Sequence, residues 1–574
     1  MDRKALAEHW ERQLGDPNLP QSALNLHTVL ELDEHERFPQ SSIDALQALG
    51  AFEMLIPARD GGQLQEPEQL LMLGRLLSRR DLSSAIAFGQ TMLGSLPLWL
   101  AGTTAQKQRL IEDLRAGALG CLALTEKAHG SDILSNEVSG VATADGFLID
   151  GEKWLINNAG QGGSATVLGR LQRPGRAAEI VLWHLRKRGQ PQSGWRALPK
   201  IRTLGIRGAD ISGFALSGYR ADADALLRGT EPAIYTVLKT LQISRILCSG
   251  FALGAVDTQF RLALRFARQR QLYGKPVLAI PMVRARLAHC TARLLVADLM
   301  AQLASRAIAA LPQELSLLSA IAKFHVPTEA EALGRELGVV LGARHYLRSE
   351  LPWSLFQKMQ RDGQVVSLFD GSTQVNLSLI AAQLRQLGEQ LAQVSRSLPA
   401  EQQPAGAPTP LAALFMPEQA CRGWPEAAEL KLSNGGMDSI ASAFLRLGSV
   451  SGPCAAAVNA LRARWQAWLM DCEQATQVQR LAHDSVKLMQ LAERYIALHS
   501  GAVAVLGWLF TRSRVGQQAC ISDAVLISYI ASRWPEAGIE VTDQQYAEII
   551  AMAERLLDQQ RLISLQEVQL AGSL

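Results

Sequence analysis

Apolar residues recur at three- and four-residue spacing through the first 120 positions, as in Ile43, Leu46 and Leu49, then Leu70, Leu73, Leu76 and Leu77. That period lines one face of an α-helix, so the segment is predicted to be helical. Between about 121 and 230 the pattern changes. Val138, Val141, Phe147 and Ile149 stand among small or polar residues, and Asp145-Gly146 and Asp150-Gly151 supply turn chemistry. This stretch is predicted to be β-rich. The helical period returns over 231–395, with long runs at 238–267 and 283–309. Pro399, Pro404, Pro408 and Pro410, with Gln402, Gln403 and Gly406, then mark 396–410 as an exposed linker. Helical patterns resume over 411–574, at 455–470, 480–506, 521–534 and 544–557. The expected class is α+β, mostly α. It comprises an N-terminal helical domain (1–120), a β domain (121–230), a helical bundle (231–395) and, beyond the linker, an extra helical domain.

The length of 574 residues exceeds what one hydrophobic core organises. Lys and Arg number 57 against 54 acidic residues, and no basic run is interleaved with aromatics, so nucleic acid is not an expected partner. The seven cysteines form no Cys-x-x-Cys pair and the ten histidines show no zinc spacing. That usage predicts no metal site and isolated thiols in a reducing cytoplasm. The chain opens on Met1-Asp2-Arg3-Lys4 with no apolar signal segment, and runs such as 501–510 are too short to cross a bilayer. No Gly-x-Gly-x-x-Gly follows a predicted strand, so a dinucleotide-binding Rossmann site is not expected.

The candidate chemistry sits in five segments. In Leu124-Thr125-Glu126-Lys127 running to Gly130-Ser131-Asp132, a strand end meets a small-residue loop whose backbone N–H groups can face an electron-rich ligand. Asp150 to Asn158 reads as a half-buried hairpin strand carrying Trp154, Leu155 and Asn157, the last with an amide donor. Lys200 to Arg207 reads as a structural loop. Arg270-Gln271-Leu272-Tyr273-Gly274 follows a helix end, where a planar guanidinium suits a phosphate. Finally, Arg361-Asp362-Gly363 precedes Leu368-Phe369-Asp370-Gly371-Ser372-Thr373-Gln374, a carboxylate beside a glycine that permits close backbone approach.

These segments, in this order and spacing, resemble the acyl-CoA dehydrogenase family over roughly residues 40–390. The family commonly has Glu where this chain has Asp370, Pro at Lys127, Trp or Phe at Leu155, and Ser or Thr at Asn157. The resemblance implies a β-barrel-like central domain with FAD between it and the helical bundle. It makes Asp370 the base that takes the substrate α-proton while a β-hydride moves to flavin N5. The thioester carbonyl is polarised by the Asp370 backbone N–H and a flavin ribityl hydroxyl. Arg245 matches an arginine near the active site. Ser244 occupies the position where some branches carry their base. Leu124, Thr125, Leu155, Asn157, Ser372 and Gln374 are implied to meet the cofactor, Ser131 the cofactor phosphate or substrate, and Gly371 the substrate. Arg270 and Tyr273 are implied to reach FAD across a subunit interface. The chain departs from the family pattern at Pro281 and Ala343.

The implied substrate is an acyl thioester of coenzyme A or an acyl carrier protein, and the implied electron partner an electron-transfer flavoprotein. The extra helical region is placed like the extension of the very-long-chain branch, which is dimeric and peripherally membrane-associated. Two oxygen-using readings share these residues. One is an acyl-CoA oxidase, the other a nitroalkane-oxidase-like enzyme with Asp at the base position. A non-catalytic acyl-binding or scaffold protein of this fold is the alternative of another class.

Overall fold

The computed structural model describes residues 3–187, 194–397, 410–416, 423–477, 485–511 and 520–572. The N-terminal part contains α1 (Arg3–Leu14), α2 (Leu26–Glu34), α3 (Gln40–Ala48), α4 (Pro67–Ser78), α5 (Leu82–Ala101) and α6 (Thr104–Arg115). Caps set several of their starts. The Asp81 carboxylate accepts from Ser83 N and Ser84 N at the head of α5, and Thr103 with Gln106 forms a capping box on α6. Leu70, Leu73, Leu76 and Leu77 are all buried, because α4 lies inside the molecule between α1, α5 and helices from later in the chain.

Seven strands follow: β1 (Gly120–Ala123), β2 (Ser139–Ala142), β3 (Gly146–Asn157), β4 (Ser164–Gln172), β5 (Glu179–Arg186), β6 (Trp195–Leu198) and β7 (Ile211–Asp222). Their order is β1-β4-β2-β3-β7-β6, with β5 also on β4. The sheet curls into a half-barrel without closing. Its own core holds Ile149, Val167, Trp183 and Phe214. Asn158 Nδ2 donates to Ala87 O at 2.8 Å and Thr166 Oγ1 to Gly94 O at 2.7 Å, docking the sheet on α5.

The bundle comprises α7 (Ala233–Leu247), α8 (Ser249–Gln269), the hairpin β8 (Gln271–Leu272) and β9 (Lys275–Pro276), then α9 (Pro281–Ala310), α10 (Leu315–Leu341), α11 (Trp353–Gly363), α12 (Thr373–Ala381) and α13 (Leu384–Arg396). The periodic run at 238–267 is interrupted at Cys248, which separates α7 from α8. Most of the expected linker, 398–409, lies outside the described residues.

The last region adds α14 (Pro410–Phe415), α15 (Ser439–Leu445), α16 (Ala455–Gln477), α17 (Ser485–Thr511), α18 (Asp523–Arg533) and α19 (Asp543–Asp558). It packs on α9, α12 and α13. The tail after α19 runs into the charged centre of the protein. Arg75 Nη2 donates to Ile563 O at 2.9 Å, Ile563 N to Asp257 Oδ1 at 3.0 Å, and Ser564 Oγ to Asp298 Oδ2 at 2.7 Å. Arg75 also pairs with Asp298. The six described cysteines are buried and form no disulfide. Among the described residues no single helix is long and apolar enough to cross a membrane.

Candidate active site

A cleft of about 530 Å³ opens between the half-barrel and α5, α7 and α12. Its volume is ordinary for a ligand site. The sheet side supplies Leu124, Thr125 and Ser131 from the loop after β1, and Leu155 and Asn157 from β3. The helical side supplies Arg245 from α7 and Asp370, Gly371 and Ser372 from the turn before α12. The structure therefore gathers nine of the candidate residues around one space. It does not bring in the other three. Arg270 and Tyr273 lie on the β8–β9 hairpin, where Tyr273 is fully exposed, and Gln374 faces outward on the first turn of α12.

On the sheet side, β3 bulges at Leu155. Trp154 pairs with Gly213 and Ile156 with Ser212, so Leu155 drops out of the ladder with φ 60°. Such a bulge re-aims a side chain, and Leu155 stays exposed at the cleft. Beside it, Asn157 Oδ1 is buried with no hydrogen-bond partner among the described residues. The loop from Leu124 to Val138 is held by a buried ion pair that motif reading left without a role. Lys153 Nζ donates to Glu126 Oε1 at 2.7 Å and to Leu124 O at 2.9 Å. Glu126 in turn accepts from Glu137 N at 2.6 Å and Val138 N at 3.0 Å. Burial pulls Lys153 down to about 8, only partly offset by Glu126. The Glu126 carboxyl sits below the usual range: burial pushes it up, but hydrogen bonds from Lys153 and the two amides prevail.

On the helical side, Asp370 has a left-handed backbone, φ 55°, a region that Asp tolerates better than most residues. Arg245 Nε donates to Asp370 O at 3.0 Å. A Cβ on Gly371 (φ 93°) would stand 3.0 Å from Arg245 Nη2, so the missing side chain leaves room for the guanidinium. Among the described residues no carboxylate pairs with Arg245, which leaves its charge directed at the cleft and the Asp370 turn. Ser372 caps α12, its Oγ accepting from Val375 N at 3.4 Å.

Burial raises the Asp370 carboxyl above its ordinary range, opposed by Lys323, by a hydrogen bond from Ser244 and by Arg245. Lys323 is the functional candidate that motif reading missed. It lies on α10, fully buried. Its ammonium donates to Val366 O and stands 4.6 Å from the Phe369 ring centroid. A lone lysine in the apolar run Leu315–Val326 was the available signal.

Asp370 also forms the wall between the cleft and a second, apolar pocket of about 50 Å³ between α4, α5 and α8. Gln90, Leu93 and Phe369 line both spaces. The arrangement thus offers a desolvated carboxylate, a nearby guanidinium with no carboxylate partner among the described residues, an apolar recess and a broad cleft with an unpartnered amide oxygen.

Arg361-Asp362 lies outside the cleft. Asp362 Oδ1 accepts from Ile206 N at 2.5 Å and Arg361 Nη1 donates to Leu204 O at 2.9 Å, fastening the Lys200–Arg207 loop to α11.

Comparisons with known proteins agree with this architecture. The family models for the acyl-CoA dehydrogenase N-terminal, middle and C-terminal domains match residues 25–118, 121–218 and 234–385. The probable acyl-CoA dehydrogenase FadE25 of Mycobacterium tuberculosis is 25% identical over 370 residues, covering 64% of this chain and 93% of its own. The butyryl-CoA dehydrogenase of Megasphaera elsdenii is similar in structure, with TM-score 0.59 at 22% identity over 67% of this chain and 97% of its own. An acyl-CoA dehydrogenase of Bacillus anthracis, solved with FAD, reaches TM-score 0.72 at 17% identity over 97% of this chain and 94% of its own, so its fold extends through the last helical region. The chain belongs to the acyl-CoA dehydrogenase superfamily, with its three domains and an extra C-terminal helical region.

Proposed function

We propose that the protein binds FAD and removes two hydrogens from the α and β carbons of an acyl thioester, with Asp370 as the base. The observation that carries this reading is the position of Asp370: a desolvated carboxylate on the shared wall of a broad cleft and an apolar recess. The cleft fits a flavin. It has the volume, the apolar faces of Leu124 and Leu155 for a ring, the Thr125 hydroxyl, and in Asn157 Oδ1 a buried acceptor that a ligand N–H can satisfy. When bound, FAD supplies the acceptor for the electron pair and β-hydrogen that leave as the C=C bond forms.

The rest of the work falls to the chain. The thioester enters the cleft with its acyl group toward the recess. The Asp370 carboxylate removes the α-proton and holds it. The Asp370 backbone N–H makes no hydrogen bond among the described residues and is available to the thioester oxygen as negative charge develops there. Arg245 fixes that turn through its bond to Asp370 O. Water is excluded by Leu93, Leu241 and Phe369.

The exposed Arg270 and Tyr273 fit a role in a homodimer, completing the cofactor site of a second subunit. Coenzyme A and an acyl carrier protein present the same thioester and are both consistent with the cleft. The test is the visible absorbance of purified protein against a panel of acyl thioesters and nitroalkanes. Thioester-driven bleaching supports the dehydrogenase reading. Bleaching by nitroalkanes alone, or protein that cannot retain added FAD, overturns it. Rapid reoxidation by oxygen after thioester bleaching would assign an oxidase.

A further inference from the structure

The depth of the apolar recess says which acyl groups fit, provided the proposed function holds. The recess continues inward from Asp370 and is walled by Leu70, Phe88, Met92, Leu96, Leu247 and Phe251. Its volume is about 50 Å³. That is about a tenth of the volume of the neighbouring cleft, about 530 Å³. One side chain accounts for this shallowness. Phe251, at the start of α8, reaches across the gap between α4 and α5. A Cβ on Gly74 (α4) would stand 3.0 Å from its Cε1, and a Cβ on Gly89 (α5) 2.4 Å from its Cζ. The ring thus occupies a slot that exists only because both facing positions lack side chains. The walls around the ring are packed: Leu55, Leu70, Phe88 and Leu96 are all buried.

We infer that the substrate is a short-chain acyl thioester and that Phe251 sets the limit on its acyl group. The long extension at the C-terminus does not bear on it, because α14 to α19 contribute no residue to the recess. Longer chains would have to displace Phe251 from its slot, an overpacking that tight cores resist.

The inference is tested by the binding of non-oxidisable S-alkyl coenzyme A thioethers to the FAD-loaded protein, measured by calorimetry, beside flavin reduction by the matching thioesters. The native protein is expected to bind S-butyl at least about tenfold more tightly than S-dodecyl. Phe251→Ala should narrow or invert that ratio. Phe251→Leu, milder for the core, should move it in the same direction, and serves if the alanine variant does not fold. Gly89→Ala should push the ring into the recess and weaken S-butyl binding. S-dodecyl bound as tightly as S-butyl by the native protein, or a ratio unmoved in folded Phe251 variants, would overturn the short-chain assignment and leave the proposed function standing. No binding of any thioether together with no flavin reduction by any thioester would remove both.

Discussion

At the scale of single residues, the chemistry rests on how a short carboxylate is tuned. Burial raises the Asp370 carboxyl, while Lys323, Ser244 and Arg245 hold it back. A base works only when deprotonated, so flavin reduction should fall as pH drops through a range above that of an ordinary Asp, near 3.9. Replacing Lys323 with Met removes the foremost restraint. The acid limb of the pH–rate profile is expected to move upward; a profile that does not move would show that Lys323 is only a packing group. Cys248, which also faces Lys323, does not confuse this reading, because burial pushes its thiol up to about 11. Asp370 was legible in the sequence because a catalytic turn needs its residues adjacent. Lys323 was not, because its partners Val366, Phe369 and Asp370 are more than forty positions away on another element.

At the scale of elements, α11 acts as a clamp. Lys358 Nζ donates to Asp81 Oδ1 at 2.7 Å and Asp362 Oδ2 at 2.6 Å, tying α11 to the head of α5, while Asp362 holds Ile206. All three charges are buried. Lys358→Met leaves two carboxylates facing each other and should cost about 3–5 kcal/mol in urea unfolding. A loss under about 1 kcal/mol, the range of an exposed pair, would contradict the clamp. Within the group Asp81 sets an acid limit, whereas burial pushes the Asp362 carboxyl up despite Lys358. The Asp81 carboxyl is held below its usual range: burial pushes it up, but Lys358 and Ser84 outweigh this. Its contribution is present above about 3.9 and is lost as pH falls through the lower folded value. Periodicity exposed most helices, since the long runs at 283–309 and 544–557 fall inside α9 and α19. It did not reveal the break at Cys248 or the bulge at Leu155. Both are local departures whose neighbours keep the same apolar pattern.

At the scale of the whole molecule, the extra helical region completes a charged centre that the other parts cannot satisfy alone. Asp298 pairs with Arg75 and accepts from Ser564 Oγ and Leu565 N. Glu11 pairs with Arg79 and Arg80 and accepts from Ala571 N at 3.1 Å. Removing residues 559–574 would take Ile563 O from Arg75, Ile563 N from Asp257 and Arg561 O from Arg261, and the truncated chain is expected to be poorly soluble and to lose cooperative unfolding. A soluble, cooperatively folding truncation would show that the tail is dispensable. The proline-rich stretch gave no hint of this integration, because the contacts join positions 266 to 560 residues apart. Assembly is tested separately. Arg270→Ala should weaken FAD retention while leaving the helical circular dichroism unchanged, and undiminished retention would remove Arg270 from the cofactor site.

One spectrum addresses the central claim most directly. Native protein loaded with FAD is mixed with butyryl-coenzyme A under anaerobic conditions beside Asp370→Asn, which keeps the shape of the side chain but cannot take up the proton. The native flavin bands should bleach, and the Asn variant should retain its FAD and reduce it about 10²–10⁴-fold more slowly. An Asn variant that bleaches at the native rate would contradict Asp370 as the base.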